Sequence, residues 1–545
     1  MKHTAYVTAE IGLTTAIPTY SGGLGVLAGD HVKAAADAGL PLVAVTLFYK
    51  LGYGKQSIDA QDQQHLDFPR CEPGDVLEST GVTVTLPLEG ENVRIRAWRY
   101  SVKGRHGHVV PVYFLDSDVE GNSPVWRPVS NLLYGGDNLN RLRQEAILGI
   151  GGYEVLKALG YKDLSAHLNE GHTAFFAAAL LRDAGTVKAC KQRVHFTTHT
   201  PVPAGYDRFE PAEVRRVVGH WLPDEVITMG LQDGHLNMAW LAAALAGSIN
   251  GVSRINAQVA QTLFPKGTKV EPLTNGVHLH TWVAPEMAAL YDHFVPLWRD
   301  HPEHLTAVQH VPGGDFDVAR RRAKRELLEY ANGATQLGFD LDVLTLGFAR
   351  RAAPYKRATL MFRDLPRLIA LGKGKLQILF AGKAHQNDGE GRQLVHELVR
   401  LSHELRGELR VGFLENYNMW LGKKLTAGVD VWLNNPVRPL EACGTSGMKA
   451  VLNGVPNLSI LDGWWAEGCR DGVNGWAVGQ DWDNRDDDRD ANALYESLEK
   501  HVLPLYYEDK DGWRNMQMQA VATAPAFSAQ RMVMEYSRKY YQRSK

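Results

Sequence analysis

The 545-residue chain is poor in cysteine: Cys71, Cys190, Cys443 and Cys469 stand far apart and never in CxxC spacing. That scatter argues against a zinc knuckle and a disulfide framework, and points to a reducing compartment. Long hydrophobic runs are also missing. No stretch approaches the roughly 18 uninterrupted apolar residues of a membrane span, and the opening MKHTAYVTAEIG lacks the continuous apolar segment of a signal peptide. A cytoplasmic location is expected. Neither charge sign prevails, with 59 Lys and Arg against 61 Asp and Glu and a formal charge of −2. Such a balance creates no field for nucleic acid or a membrane surface, so small or neutral partners are expected. Internal repeats, heptads and low-complexity segments are absent. Only DWDNRDDDRD (481–490) is charge-biased, and it reads as a solvated loop.

What is present is length and alternation. The chain is several times the size of a common domain, about 100–150 residues, so at least two domains are expected. Short β-branched runs (AYVTAEI, LVAVTLF, VVPVYFL, VHFTTH, LTLGFA, LQILFAG, LRVGFL, VDVWLNN, PNLSIL) alternate with longer helical patterns. This predicts α/β architecture with parallel sheets covered on both faces. HVPGGDFD (310–317) is the natural break, giving domains at 1–312 and 313–514, with a helical segment 515–545 that packs back on the first domain. Ligands bind beyond the carboxyl ends of strands in such sheets, and several motifs fall there.

Five motifs carry candidate chemistry. In EACGTSGMKAVLNG, a helix capped by Thr445 or Ser446 would place Lys449 in its first turn, where the helix dipole penalises an ammonium. A lysine pushed towards the neutral amine is a nucleophile for an aldehyde, and the run Gly444–Gly447 offers N–H groups to a phosphate. The alternative is a solvated lysine at a helix start. Gly23 to Ala28 matches GxGxxG/A, but Gly12–Ser21 intervene after the strand, which removes the dinucleotide context. An anion loop or a tight structural turn remains. HLNEGH (167–172) lacks the HExxH order of a zinc site, leaving an active-site rim or core histidines. His199 in TTHTPVP either faces ligand or is a structural loop residue. FARRAAPYKR gathers Arg350, Arg351, Lys356 and Arg357 at a strand-to-helix junction, a poor place for unpaired cations, so anion binding is favoured over a solvated basic face.

Together with YGGDN, HLNEGHTAF, LTNGVHLHTWV, AGKAHQND, FLENY and LDG, these segments resemble the α-glucan (glycogen, starch, maltodextrin) phosphorylase family over most of the chain, in its shorter divergent prokaryotic branch. The resemblance implies two doubly wound Rossmann-like domains facing across a cleft (GT-B type), with pyridoxal phosphate used for its phosphate group. It implies that Lys449 forms the Schiff base and that Lys356, Arg350, Tyr417, Thr445, Ser446, Trp282 and Tyr6 line the cofactor. Arg351 and Lys356 would hold the reacting phosphate with the backbone of Gly23 and Leu24. Asn138, His199, Asn275, Glu441 and Gly444 would hold the glucosyl unit, with Asp137 and His172 shaping its pocket and the His199 carbonyl facing developing positive charge. The catalytic set is Lys449, Lys356, Arg351 and His199. The implied reaction is reversible phosphorolysis of a terminal α-1,4-linked glucose to α-glucose 1-phosphate with retention, by an enzyme without metal, with a homodimer as the expected assembly.

The chain departs from animal and plant members at Cys443 (serine there), Gly447 (asparagine) and Asn418 (arginine after the ENY tyrosine). It begins almost at the first core strand, so activation through an N-terminal extension is not expected. Two rival readings share the fold. A nucleotide-sugar-dependent glycogen or starch synthase carries K-T-G-G-L-G, where this chain has Tyr20-Ser21-Gly22-Gly23. A non-catalytic glucan-binding protein has no need of Lys449, Lys356, Arg351, Glu441 and His199 together.

Overall fold

Apolar runs become strands buried on both faces. The computed structural model of the protein describes residues 3–202, 205–480, 483 and 485–542. Pro203 and Ala204 of HTPVPAGYDRF, Asp481, Trp482 and Asn484 of the acidic stretch, and the last three residues of the C-terminal segment lie outside the described residues. Leu42–Leu47, Leu344–Ala349 and Leu376–Ala381 are buried at every position, as parallel strands covered by helices should be.

The chain forms two compact units. The first comprises residues up to Gly54, Phe68–Thr274 and those from Met532; the second comprises Lys55–Asp67 and Asn275–Arg531. Position 312, the break suggested by Pro-Gly-Gly, thus lies inside the second unit. Asn453 ties the preceding segment there: its Oδ1 accepts from Ala284 N at 2.7 Å and its Nδ2 donates to Trp282 O at 3.0 Å.

The first unit holds a nine-stranded sheet. Val109–Asp116, Leu42–Leu47, His3–Thr8, Leu164–Asn169, Val194–Thr198, Ser248–Gly251 and Val270–Pro272 are adjacent and parallel. Glu91–Lys103 and Glu78–Leu88 extend it antiparallel. The strand order reverses between His3–Thr8 and Leu164–Asn169, the topological switch point. From the C-terminal segment, Tyr541 OH meets His167 Nδ1 at 2.6 Å and His31 Nε2 at 2.9 Å.

The second unit holds a six-stranded parallel sheet in the order Arg410–Leu414, Leu376–Ala381, Leu344–Ala349, Val431–Asn434, Asn457–Ile460, Gly475–Val478. Numbered along the chain this is 3-2-1-4-5-6, the Rossmann order. Its switch point lies between Leu344–Ala349 and Val431–Asn434. The strands Leu164–Asn169 and Ser248–Gly251, which the apolar runs do not announce, carry His167, Asn169 and Asn250 as buried polar residues.

Candidate active site

The basic junction and the lysine motif meet at the second unit's switch point. Arg350 and Arg351 follow directly on the strand Leu344–Ala349. Glu441 is buried, and its Oε2 accepts from Arg350 NH1 at 3.0 Å and from Lys356 Nζ. Burial raises the carboxyl's pKa, but Lys356 and then Arg350 outweigh that and hold it below the ordinary range. Asp462 fixes the segment behind: Oδ2 accepts from Glu441 N and Oδ1 from Gly463 N, both at 2.8 Å. Burial, with the Glu441 charge nearby, pushes Asp462 up to about 7.

Two expectations change, one about the basic junction and one about the acidic stretch. Arg357 is not an anion ligand: it is buried, donates to the carbonyls of Asn435 and Pro436, and pairs with Asp487 and Asp490. The acidic stretch is correspondingly not all solvated loop, since Asp486 caps the helix Asp487–Ser497 and two of its acids compensate Arg357. Arg351, in contrast, is exposed.

Lys449 also sits differently from the sequence expectation. The helix Thr445–Leu452 is N-capped by Gly444, in the left-handed region at φ +82°, with no side-chain cap. Thr445 and Ser446 are therefore first-turn residues rather than caps, and Lys449 lies in the last turn. Burial, not the dipole, sets its surroundings: Lys449 Nζ stands 3.6 Å from the centroid of the Trp282 ring. The N–H groups of the first turn remain for an anion, with no acidic side chain there to compete. Tyr417, partly buried, lies beside Gly422. Asn275 and Asn434 are buried, and their Oδ1 atoms have no hydrogen-bond partner among the described residues. Both can take ligand hydroxyls.

The first unit organises a second set of residues at its own switch point. Glu10 stands just beyond the strand His3–Thr8. Its Oε2 accepts from Ser21 N at 2.6 Å, Ser21 Oγ at 3.2 Å and Gly22 N at 3.3 Å, and its Oε1 accepts from Tyr134 OH at 2.8 Å. It thereby ties the glycine loop to YGGDN. A Cβ on Gly25 would stand 2.7 Å from Glu10 Oε2, whereas Gly22 and Gly23 face open space. The helix Gly23–Asp37 begins there with no side-chain cap and no acidic residue in its first turn. Asp137 caps the helix Asn138–Ala146, and Asn138 Nδ2 donates to Arg208 O.

Glu170, within HLNEGH, is an anchor. Its Oε2 accepts from His199 N at 2.8 Å and from Thr200 N at 3.0 Å. Among the described residues no group of His, Cys, Asp and Glu could hold a metal ion. Asn169 Nδ2 donates to Thr8 Oγ1, which leaves Asn169 Oδ1 to accept from His199 Nε2 at 2.8 Å. That pairing fixes the tautomer and leaves His199 Nδ1 as an acceptor. Burial pushes His199 down to about 3, so it is neutral near pH 7. The His199 carbonyl, expected to face developing charge, accepts from Asn256 Nδ2 at 3.2 Å. His172 is buried and accepts from Ala9 N. Tyr6 does not line a ligand space: it is 1% exposed and stacks on His31 at 4.5 Å within a buried histidine–tyrosine cluster.

A family model described as carbohydrate phosphorylase matches residues 214–469. The chain is 38% identical to a maltodextrin phosphorylase of Thermococcus litoralis, over 99% of its own length and 70% of that protein's. It is 38% identical to a glycogen phosphorylase of Mycobacterium tuberculosis (98% and 70%) and 35% identical to one of Aquifex aeolicus (99% and 86%). The chain belongs to the carbohydrate phosphorylase family. Within the phosphorylase frame the three departures have local causes. Gly447 leaves no room for a side chain, because a Cβ there would lie 2.3 Å from Asn457 Oδ1 and 2.9 Å from Trp464 Nε1. Cys443 is buried, and its carbonyl accepts from Trp464 N while Gly463 packs over it. Asn418 caps the helix Met419–Gly428 by accepting from Leu421 N. Sequence reading missed Glu10, Asn169, Glu170 and Asp462 as anchors. Glu10 had a usable signal, an acid just past the first strand.

Proposed function

We propose that the chain phosphorolyses terminal α-1,4-glucosyl units of glycogen or maltodextrin to α-glucose 1-phosphate with retention, in a GT-B arrangement and with pyridoxal phosphate. The observation that carries this reading is the buried Lys449 over Trp282, beside an uncompensated helix N-terminus and the Glu441–Arg350–Lys356 cluster. These residues fit the cofactor: Lys449 would hold its aldehyde end, Trp282 and Tyr417 its ring, and the Thr445 and Ser446 amides with Arg350 and Lys356 its phosphate. When bound, that phosphate supplies a group able to exchange a proton with the substrate phosphate.

The chain's own residues do the rest. Arg351 and Lys356, with the Gly23 and Leu24 amides, bind and orient the attacking phosphate through charge-assisted hydrogen bonds. Glu441, kept ionised by its two cations, accepts sugar hydroxyls, and Asn275 and Asn138 fix the ring. His199, neutral and held by Asn169 and Glu170, orients the sugar by hydrogen bonding and does not donate a proton. Fixed dipoles of this kind stabilise an oxocarbenium-like charge without reorganising.

The test is the colour of the purified protein, followed by borohydride reduction, peptide mapping and an assay for phosphate-dependent release of glucose 1-phosphate. Pyridyl-lysine at Lys449 is expected. Glucosyl transfer from a nucleotide sugar without bound pyridoxal would instead indicate a synthase, and maltodextrin binding without turnover a scaffold.

A further inference from the structure

Beyond the last paired residues Ala349 and Ala381, the strands Leu344–Ala349 and Leu376–Ala381 keep their hydrogen-bond ladder. Arg350 N donates to Ala381 O at 3.1 Å and Ala352 N to Lys383 O at 3.0 Å. These two bonds bring the backbone of Arg351 alongside that of Lys383. Two cations thus stand at the carboxyl ends of adjacent strands, the first of which borders the switch point, where α/β sheets place ligands. More charge surrounds them. Burial, with Lys55 nearby, lowers Lys383 to about 8, and Arg351 acts on His385, which also faces Asp388.

The Lys383 segment is also held. The hairpin Lys55–Ile58 and Gln64–Asp67 packs in the second unit, although the chain on both sides of it belongs to the first. Its two buried glutamines grip the loop with their side-chain amides. Gln64 Oε1 accepts from Ala384 N at 2.9 Å and its Nε2 donates to Ala384 O at 3.0 Å. Gln56 Nε2 donates to Gly382 O at 2.7 Å and to Gln64 Oε1 at 2.8 Å, while Gln56 Oε1 accepts from Asn416 N at 2.9 Å. Both peptide groups flanking Lys383 are thereby fixed, together with the loop that carries Tyr417.

We propose that Lys383 is a phosphate-binding residue. With Arg351 it holds one phosphate dianion, and Gln56 and Gln64 of the hairpin are its positioning residues. The proposal rests on the phosphorylase reading, and the dianion is either the free substrate phosphate or the phosphate of the cofactor.

Three variants of the holoenzyme test it: Lys383→Met, Lys383→Arg and Gln64→Ala. For Lys383→Met the KM for inorganic phosphate should rise about tenfold, equivalent to about 1.4 kcal/mol, while the maltodextrin KM stays within about twofold. Lys383→Arg should restore most of the loss. Gln64→Ala should shift the phosphate KM about threefold, with no further shift in the Lys383→Met background, because coupled residues are non-additive. Pyridoxal retained on dialysis identifies the source of the dianion: unchanged retention means free phosphate, and faster loss means the cofactor's. A Lys383→Met protein with wild-type melting temperature, phosphate KM and pyridoxal retention overturns the proposal. If the wild type releases no glucose 1-phosphate, the functional reading fails. The rise in melting temperature with added phosphate, compared between wild type and Lys383→Met, then still decides the role of Lys383.

Discussion

Lys449 Nζ lies 3.6 Å from the centroid of the Trp282 ring, within the second unit. The indole face offers an ammonium about 0.5–2 kcal/mol at partly desolvated sites. Lys449→Ala should reduce phosphorolysis to background and remove pyridoxal absorbance, while far-UV circular dichroism is unchanged. Trp282→Leu should keep the fold and lose the cofactor faster on dialysis. Retained activity in Lys449→Ala would rule out its assigned role.

Gly447 is enclosed by Asn457 and Trp464. Gly447→Asn, which installs the residue of the animal and plant enzymes, should cost about 1–3 kcal/mol through overpacking. A lower denaturant midpoint would show it, and Asn457→Ala in the same background should recover part of the loss.

Glu10 joins the glycine loop to Tyr134 through one carboxylate. Glu10→Gln replaces an acceptor by an NH₂ group facing N–H or O–H donors. Hydrogen bonds to charged groups contribute about 1.5–3 kcal/mol each, so kcat/KM for phosphate should fall roughly ten- to hundredfold. Steady-state kinetics with both substrates varied would show whether phosphate binding suffers more than glucan binding.

Four buried histidines of the first unit make stability depend on acid. Burial lowers His31 and His199 to about 3 and His172 to about 4, and takes His167 well below its ordinary value. Lowered values favour the neutral ring in the folded state. Their contribution is fully present above the unfolded value near 6.5, and is lost as pH falls towards the folded values. Each histidine should give a slope of up to about 1.4 kcal/mol per pH unit across that window. Denaturant midpoints at pH 7 and pH 5 measure the total, and His31→Gln should make the dependence shallower.

Local pattern announced much of this protein. The runs LVAVTLF, LTLGFA and LQILFAG form strands buried at nearly every position, because only a strand covered on both sides has use for an unbroken apolar run. The motifs followed those strands, and the order and spacing of EACGTSGMK, ARRAAPYKR and HLNEGH identified the family. The strand carrying His167 and Asn169 was hidden, since its polar side chains are satisfied by partners distant in sequence such as Thr197 and Thr8.

What depended on distant partners was decided by the tertiary structure. Lys449 was suspected for its place in a helix, yet Trp282, brought over it by the chain's return, and not the helix dipole, defines its surroundings. Arg357 and Arg351 look equivalent in sequence. Asp487 and Asp490 pair with one in the interior, and the other is left exposed. Glycine punctuation, strand periodicity and motif order are properties of neighbouring residues, so sequence alone determined them. Charge pairing, desolvation and cross-strand register depend on segments far apart in the chain, and only the assembled sheets decide them.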